Sequence, residues 1–161
     1  QAPSLTFLIP TNKAFANLGL VMKYLLLPAA RRELRSLIQY HMIDEIVYLD
    51  DFPMGSGRFP TLHGSEIMAE KSANGTIMIH GATIAGKPAN GEMRDAEVID
   101  GTALTSSGAI HVINQVELPP DLEITMDKLL RGARALTMLD LVKAAGLNWV
   151  LDGSQPPSSS H

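Results

Sequence analysis

The chain opens on an alternation. Leu5, Phe7 and Ile9 alternate with Thr6 and Leu8, which suits a buried strand, and Pro10, lacking an N–H, ends its ladder. Thr11 or Asn12 can then cap a helix whose inner face is Ala14, Phe15 and Leu18. In "LLPAARRELRSLIQYHMI", Pro28 suits a first helical turn, and Leu34, Leu37, Ile38 and His41 recur at helical spacing. From Ile46 to Pro119 the period shifts towards two, punctuated by "PMGSG", "HG", "ANG", "AGKPANG" and "SSG", which reads as antiparallel strands. "SEIMAEKSANGTIMIHG" predicts a hairpin, with Asn74 and Gly75 supplying positive backbone angles and Ile77 and Ile79 sharing a face. "AIHVINQVEL" predicts a last strand with Ile110, Val112, Val116 and Leu118 on one face, interrupted by Asn114. After Pro119 and Pro120 the helical period returns through Leu129, Leu130, Leu136, Leu139, Leu141 and Val142, with Gly132 and Gly146 as stops, and "DGSQPPSSSH" has the composition of a linker.

Helices flanking a block of strands predict an α+β fold, and 161 residues suffice for one well-buried core plus an appendage. No apolar run approaches the roughly 18 residues of a membrane span. The net charge is -4, and the basic residues are scattered apart from small groups such as Arg31, Arg32 and Arg35, so nucleic acid is not an expected partner. Without cysteine there is no disulfide framework and no thiolate nucleophile or metal ligand.

Three stretches together resemble the fasciclin domain family. "TFLIPTNKAF" is similar to its first signature through Thr6, Pro10, Thr11, Asn12 and Phe15. "LIQYHMI" is similar to its Tyr-His motif through Tyr40 and His41, and "SSGAIHVINQVELPP" to its second signature through Gly108, His111, Val112, Ile113 and Pro119. The resemblance implies a wedge-shaped β-sandwich with helices packed along one edge. It also implies an extracellular or cell-surface adhesion module that contacts proteins or glycans and needs no cofactor. "TMLDLVKAAGLNWVL" resembles the opening helices of a following repeat. The expected organisation is therefore a fasciclin-like domain at 1–120 lacking its usual N-terminal helices, a helical segment at 121–151 resembling the next repeat, and a tail at 152–161. Leu136, Leu139, Leu141, Val142, Leu147 and Trp149 would fold back on their own chain or dock on a neighbour, giving a homo-oligomer through these helices. Two departures bear on function. Asp100 is followed by Gly101, so the Asp-Ile type adhesive motif of some animal members is absent, and Asn114 stands where many members have Asp.

Motif-bearing enzyme classes find no support: H-E-x-x-H, G-x-S-x-G, the P-loop and calcium-loop spacings are missing. No catalytic, metal or cofactor residue is assigned. His41 reads as a buried ring that satisfies a backbone group, His111 belongs to a packing motif as the resemblance implies, and His63 and His80 read as exposed positions without carboxylates at ligand spacing. Asp44, Glu45, Asp50 and Asp51 read as a solvated loop rather than a cation site. Asn74-Gly75-Thr76 is an N-glycosylation sequon. Met42, Met54, Met68, Met78 and Met93 suit core gaps, or else a groove for a small apolar ligand; a carrier, or a self-assembling wall or matrix repeat, is the alternative function.

Overall fold

The computed structural model describes residues 4–81, 83–84, 87–88 and 95–156. The chain runs β1 (Leu5–Pro10), α1 (Asn12–Ala16), α2 (Leu20–Leu25), a 3-10 turn (Pro28–Ala30) leading into α3 (Arg31–Tyr40), β2 (Met42–Ile43) and a second 3-10 turn (Leu49–Asp51). It continues through β3 (Gly55–Pro60), β4 (Glu66–Lys71), β5 (Ile77–His80), β6 (Thr83–Ile84), β7 (Lys87–Pro88), β8 (Ala96–Thr105) and β9 (Gly108–Ile113). Three helices follow: α4 (Met126–Gly132), α5 (Leu136–Ala144) and α6 (Asn148–Asp152).

Seven strands form one sheet in the order β2-β1-β9-β8-β5-β4-β3, antiparallel throughout except for the parallel pair β1 and β9. β8 joins the two halves. Ala96 and Glu97 pair with β5, while Val98 to Thr105 pair with β9 through two register shifts, irregularities that let a strand bend. Side chains of both halves meet in one core, Leu8 and Ile113 from one and Phe59, Ile67, Ile77 and Ile79 from the other. A single bent sheet thereby encloses its own filling, as two stacked sheets do.

A second core lies under the helices. Ala14, Leu18, Tyr24, Leu25 and Leu37 pack there with Val116, Leu118 and Leu122 from the stretch after β9. Thr11 caps α1, its hydroxyl accepting from the Ala14 N–H at 3.1 Å. The C-terminal helices pack on this same chain. A Cβ on Gly132 would sit 2.6 Å from Leu20 O and 2.8 Å from Tyr24 N, so α4 approaches α2 backbone to backbone where only hydrogen fits. Lys128 adds an ion pair to Glu33 at 2.8 Å, and the Tyr24 hydroxyl donates to the same carboxylate. Burial, and then that bond to Glu33, push the Tyr24 pKa up to about 12. α5 and α6 rest on α4 with Leu139 and Leu151 buried, Val142 and Trp149 half-buried, and Leu136, Leu141 and Leu147 exposed.

Four expectations are corrected. In β9 the buried face is Ala109, His111 and Ile113, while Ile110 and Val112 are half-buried and Val116 and Leu118 lie beyond the strand in the helical core. Hydrophobicity misassigned this face because the inward polar ring finds a partner inside. In the β4–β5 hairpin only Gly75 takes a positive φ, of 90°. Asn74 instead accepts from the Thr76 N–H at 3.0 Å, within a longer loop closed by Ser72 N–H to Thr76 O at 2.9 Å. His63 and His80 are largely buried and carboxylate-bonded, as described below. None of the five methionines singled out belongs to either core: Met42, Met68 and Met78 are half-buried, Met54 is exposed, and Met93 lies outside the described residues, whereas Met22 packs partly buried against the helical core.

Candidate functional site

The buried polar residues of the signature stretches converge on one short segment, Glu45 to Val47. Thr6 on β1 is fully buried; its hydroxyl donates to Glu45 O at 2.8 Å and accepts from the Val47 N–H at 2.7 Å. His111, directly across the parallel ladder from Leu8, donates from Nε2 to Val47 O at 2.7 Å and meets the Phe52 ring edge-on. The hydroxyl and the imidazole thus take up three backbone groups that would otherwise be stranded beside an apolar core. The result is a rigid seat for a loop. Asp44, Glu45, Tyr48, Asp50 and Asp51 stand exposed on either side of the clamped residues, and the Asp51 carboxylate accepts from the Tyr48 N–H at 2.9 Å.

His41 performs a second fastening of the same kind. It follows the last residue of α3, where Nδ1 donates to Leu37 O at 2.8 Å and Nε2 accepts the Glu117 N–H at 3.0 Å. This fixes the neutral Nδ1–H tautomer and ties the stretch after β9 to α3. Burial lowers the His41 pKa to about 4, against the raising effect of the bond to Leu37. Tyr40 beside it is fully buried, with its ring edge-on to both His41 and His63.

The remaining signature residues shape backbone. A Cβ on Gly108 would lie 1.9 Å from Leu5 O, so only glycine permits β1 to pair there. Pro10, Ile113 and Pro119 are buried, Phe15 and Val112 half-buried, and Asn12 exposed. Asn74 is exposed at the tip of the β4–β5 hairpin, as a sequon acceptor would need to be. The Asn114 carboxamide accepts from the Glu97 N–H at 2.8 Å on β8, so its partner is backbone and not His111.

Sequence reasoning missed three groups. His63 pairs through Nε2 with Asp121 at 2.8 Å, and His80 pairs through Nδ1 with Asp95 at 2.7 Å while Glu70 lies 3.5 Å from its Nε2. Their carboxylates come from other elements, so linear spacing carried no trace of them. Glu117 is fully buried. The signal for it was available: one charge inside the apolar run "VINQVELPP". Among the described residues no group of three His, Asp or Glu side chains is arranged to hold a metal.

Comparison with known proteins decides what this architecture is. A profile of the Fasciclin domain matches residues 1–119, from the first signature through the second. The chain belongs to the fasciclin domain family. Protein sll1483 from Synechocystis sp. is similar, 32% identical over 116 residues that make up 71% of this chain and 55% of that protein. A solved FAS1 domain pair from the insect cell adhesion molecule Fasciclin I matches with 17% identity and a TM-score of 0.45, over 92% of this chain and 48% of that one. The fasciclin chain thus spans about half the length of these relatives. Fasciclin domains are known as adhesion modules and are commonly surface-associated or extracellular. Among the described residues no helix is long and apolar enough to cross a membrane.

Proposed function

We propose that this fasciclin chain is a non-enzymatic adhesion or matrix module, extracellular or at the cell surface, that engages protein or glycan partners through its outer surface. The observation that carries the reading is how the chemistry-bearing side chains are employed. Thr6, His41 and His111 are buried and bonded to backbone, so they hold loops in place and face no solvent-accessible substrate. Family membership supports the same reading, and the exposed sequon Asn74 suits a glycoprotein wherever the chain passes through a eukaryotic secretory route. The test is attachment of cells to plates coated with the folded protein, set beside a panel of ester and glycoside substrates. Adhesion to the folded coat above a heat-denatured coat, with no turnover, is expected. Equal attachment to both coats overturns the reading.

A second proposal concerns the C-terminal helices, which we take as the head of a following repeat. It is supported by the exposed apolar positions Leu136, Leu141 and Leu147, which lie beyond the residues that the family profile matches. Light scattering of the chain and of its Leu136→Ser/Leu141→Ser variant tests whether this face docks on a neighbour. Salt-resistant association lost in the variant is the expected result, and identical behaviour of the two overturns it.

A further inference from the structure

We propose that copies of this chain associate head to tail, the arginine face of α3 in one copy docking on the acidic segment around Tyr48 in the next. The proposal rests on the adhesion reading and names a partner for it: a second copy.

Arg31, Arg32 and Arg35 are all exposed, and their spacing puts them on one face of α3. None makes an ion pair among the described residues. The one acidic residue of that first turn, Glu33, is turned away to Tyr24 and Lys128. The three unpaired cations repel one another, and Arg31 and Arg32 in the first turn also oppose the helix dipole, so the arrangement costs α3 stability that an anionic partner restores. Leu26, which caps α2 five residues before Arg31 in the chain, is 66% exposed and offers apolar area on the approach to α3.

The complementary surface is on the same chain. Asp44, Glu45, Asp50 and Asp51 are exposed and likewise form no ion pair among the described residues, and Tyr48 and Met54 between and beside them are 45% and 64% exposed. This patch is preformed, because Thr6 and His111 clamp the backbone that carries it. Each patch thus joins exposed apolar area to unpaired charge, with opposite signs. The arginines begin α3, whereas the acids follow its far end, roughly 15 Å of helix away. Two different surfaces make a heterologous contact, which propagates into open chains instead of closing as a dimer.

Light scattering over a concentration series tests this on the whole chain carrying Leu136→Ser/Leu141→Ser in every sample, so that the exposed apolar face of α5 takes no part, at about 10 mM and about 1 M salt, where the screening length falls from roughly 30 to 3 Å. The variants are Arg31→Glu/Arg32→Glu/Arg35→Glu and Asp44→Lys/Glu45→Lys/Asp50→Lys; Asp51 is spared because its carboxylate holds the Tyr48 N–H. The expected result is a mass that climbs above 17.4 kDa with concentration at low salt and returns to it at high salt. Each variant alone stays monomeric, and an equimolar mixture of the two associates again, since each then presents the charge the other lacks. A Leu136→Ser/Leu141→Ser parent that stays monomeric at low salt, association that survives in either charge variant, or a mixture that stays monomeric overturns the proposal. Cell attachment by the monomeric variants is read separately, so loss of self-association and loss of adhesion are distinguishable.

Discussion

Acidification acts on His41 with a sign that can be worked out in advance. The neutral ring accepts the Glu117 N–H at Nε2 and donates to Leu37 O at Nδ1, and an imidazolium cannot accept at all. Burial lowers its pKa from 6.5 to about 4. Between those values the unfolded chain binds a proton that the folded chain refuses, so stability falls as the pH falls. The contribution is whole above pH 6.5 and is lost progressively towards pH 4. At about 1.4 kcal/mol for each tenfold in proton affinity, the loss amounts to roughly 3 kcal/mol. Urea unfolding of the wild type and of His41→Gln, at intervals between about pH 7 and pH 4, isolates the effect: the amide oxygen keeps an acceptor and removes the titration. Carboxylates titrate in both proteins and cancel in the difference. The wild type's advantage is expected to shrink by roughly 3 kcal/mol across the range. Parallel profiles for the two proteins would refute the reasoning, because His41 would then bind its proton equally in the folded and unfolded chain.

Three substitutions probe other joints. Gly108→Ala places a methyl 1.9 Å from Leu5 O inside a ladder that cannot yield, and a loss of about 3 kcal/mol is expected in thermal unfolding; an unchanged melting temperature would contradict the close approach. Thr6→Val keeps the shape and strands Glu45 O and the Val47 N–H, so chemical denaturation should report a loss of about 2 kcal/mol, and a neutral outcome would show that the clamp carries no energy. Arg134→Gly acts in the opposite direction. Arg134 ends α4 with φ at 59°, in a cap where Ala135 N–H reaches Leu130 O, and glycine there is expected to gain about 1 kcal/mol by the same assay; destabilisation would mean the side chain does more than tolerate its backbone.

What could be read from the linear pattern divides by range. The α1 cap at Thr11, the long helix after Pro28, the Gly75 turn and the stop at Gly146 depend on neighbours within four residues, and each is written locally, whereas Gly132 lies inside the last turn of α4 and answers to the distant backbone of α2. The face of β9 reads backwards when the larger aliphatics Ile110 and Val112 are taken as its inner residues, although His111 itself reads as a packing residue. His111 is buried because Val47, 64 residues earlier in the chain, offers it an acceptor. The same holds for His63 with Asp121 and His80 with Asp95: side chains look idle until the fold supplies a partner. Methionine was misjudged for a related reason. The core is filled by branched and aromatic side chains such as Ile67, Ile79 and Phe59, leaving the thioethers to the half-wet faces.

The parallel pairing of β1 with β9 also governs how the module bears load. Tension between a point ahead of Leu5 and one behind Ile113 pulls along the strands, since the start of β1 and the end of β9 lie at opposite ends of their shared register. The bonds from Leu5↔Gly108 to Pro10↔Ile113 are then sheared together, not peeled one at a time. Resistance to rupture is set by the rate of that one cooperative step. A sheet that begins and ends on adjacent strands in this way is mechanically a lap joint.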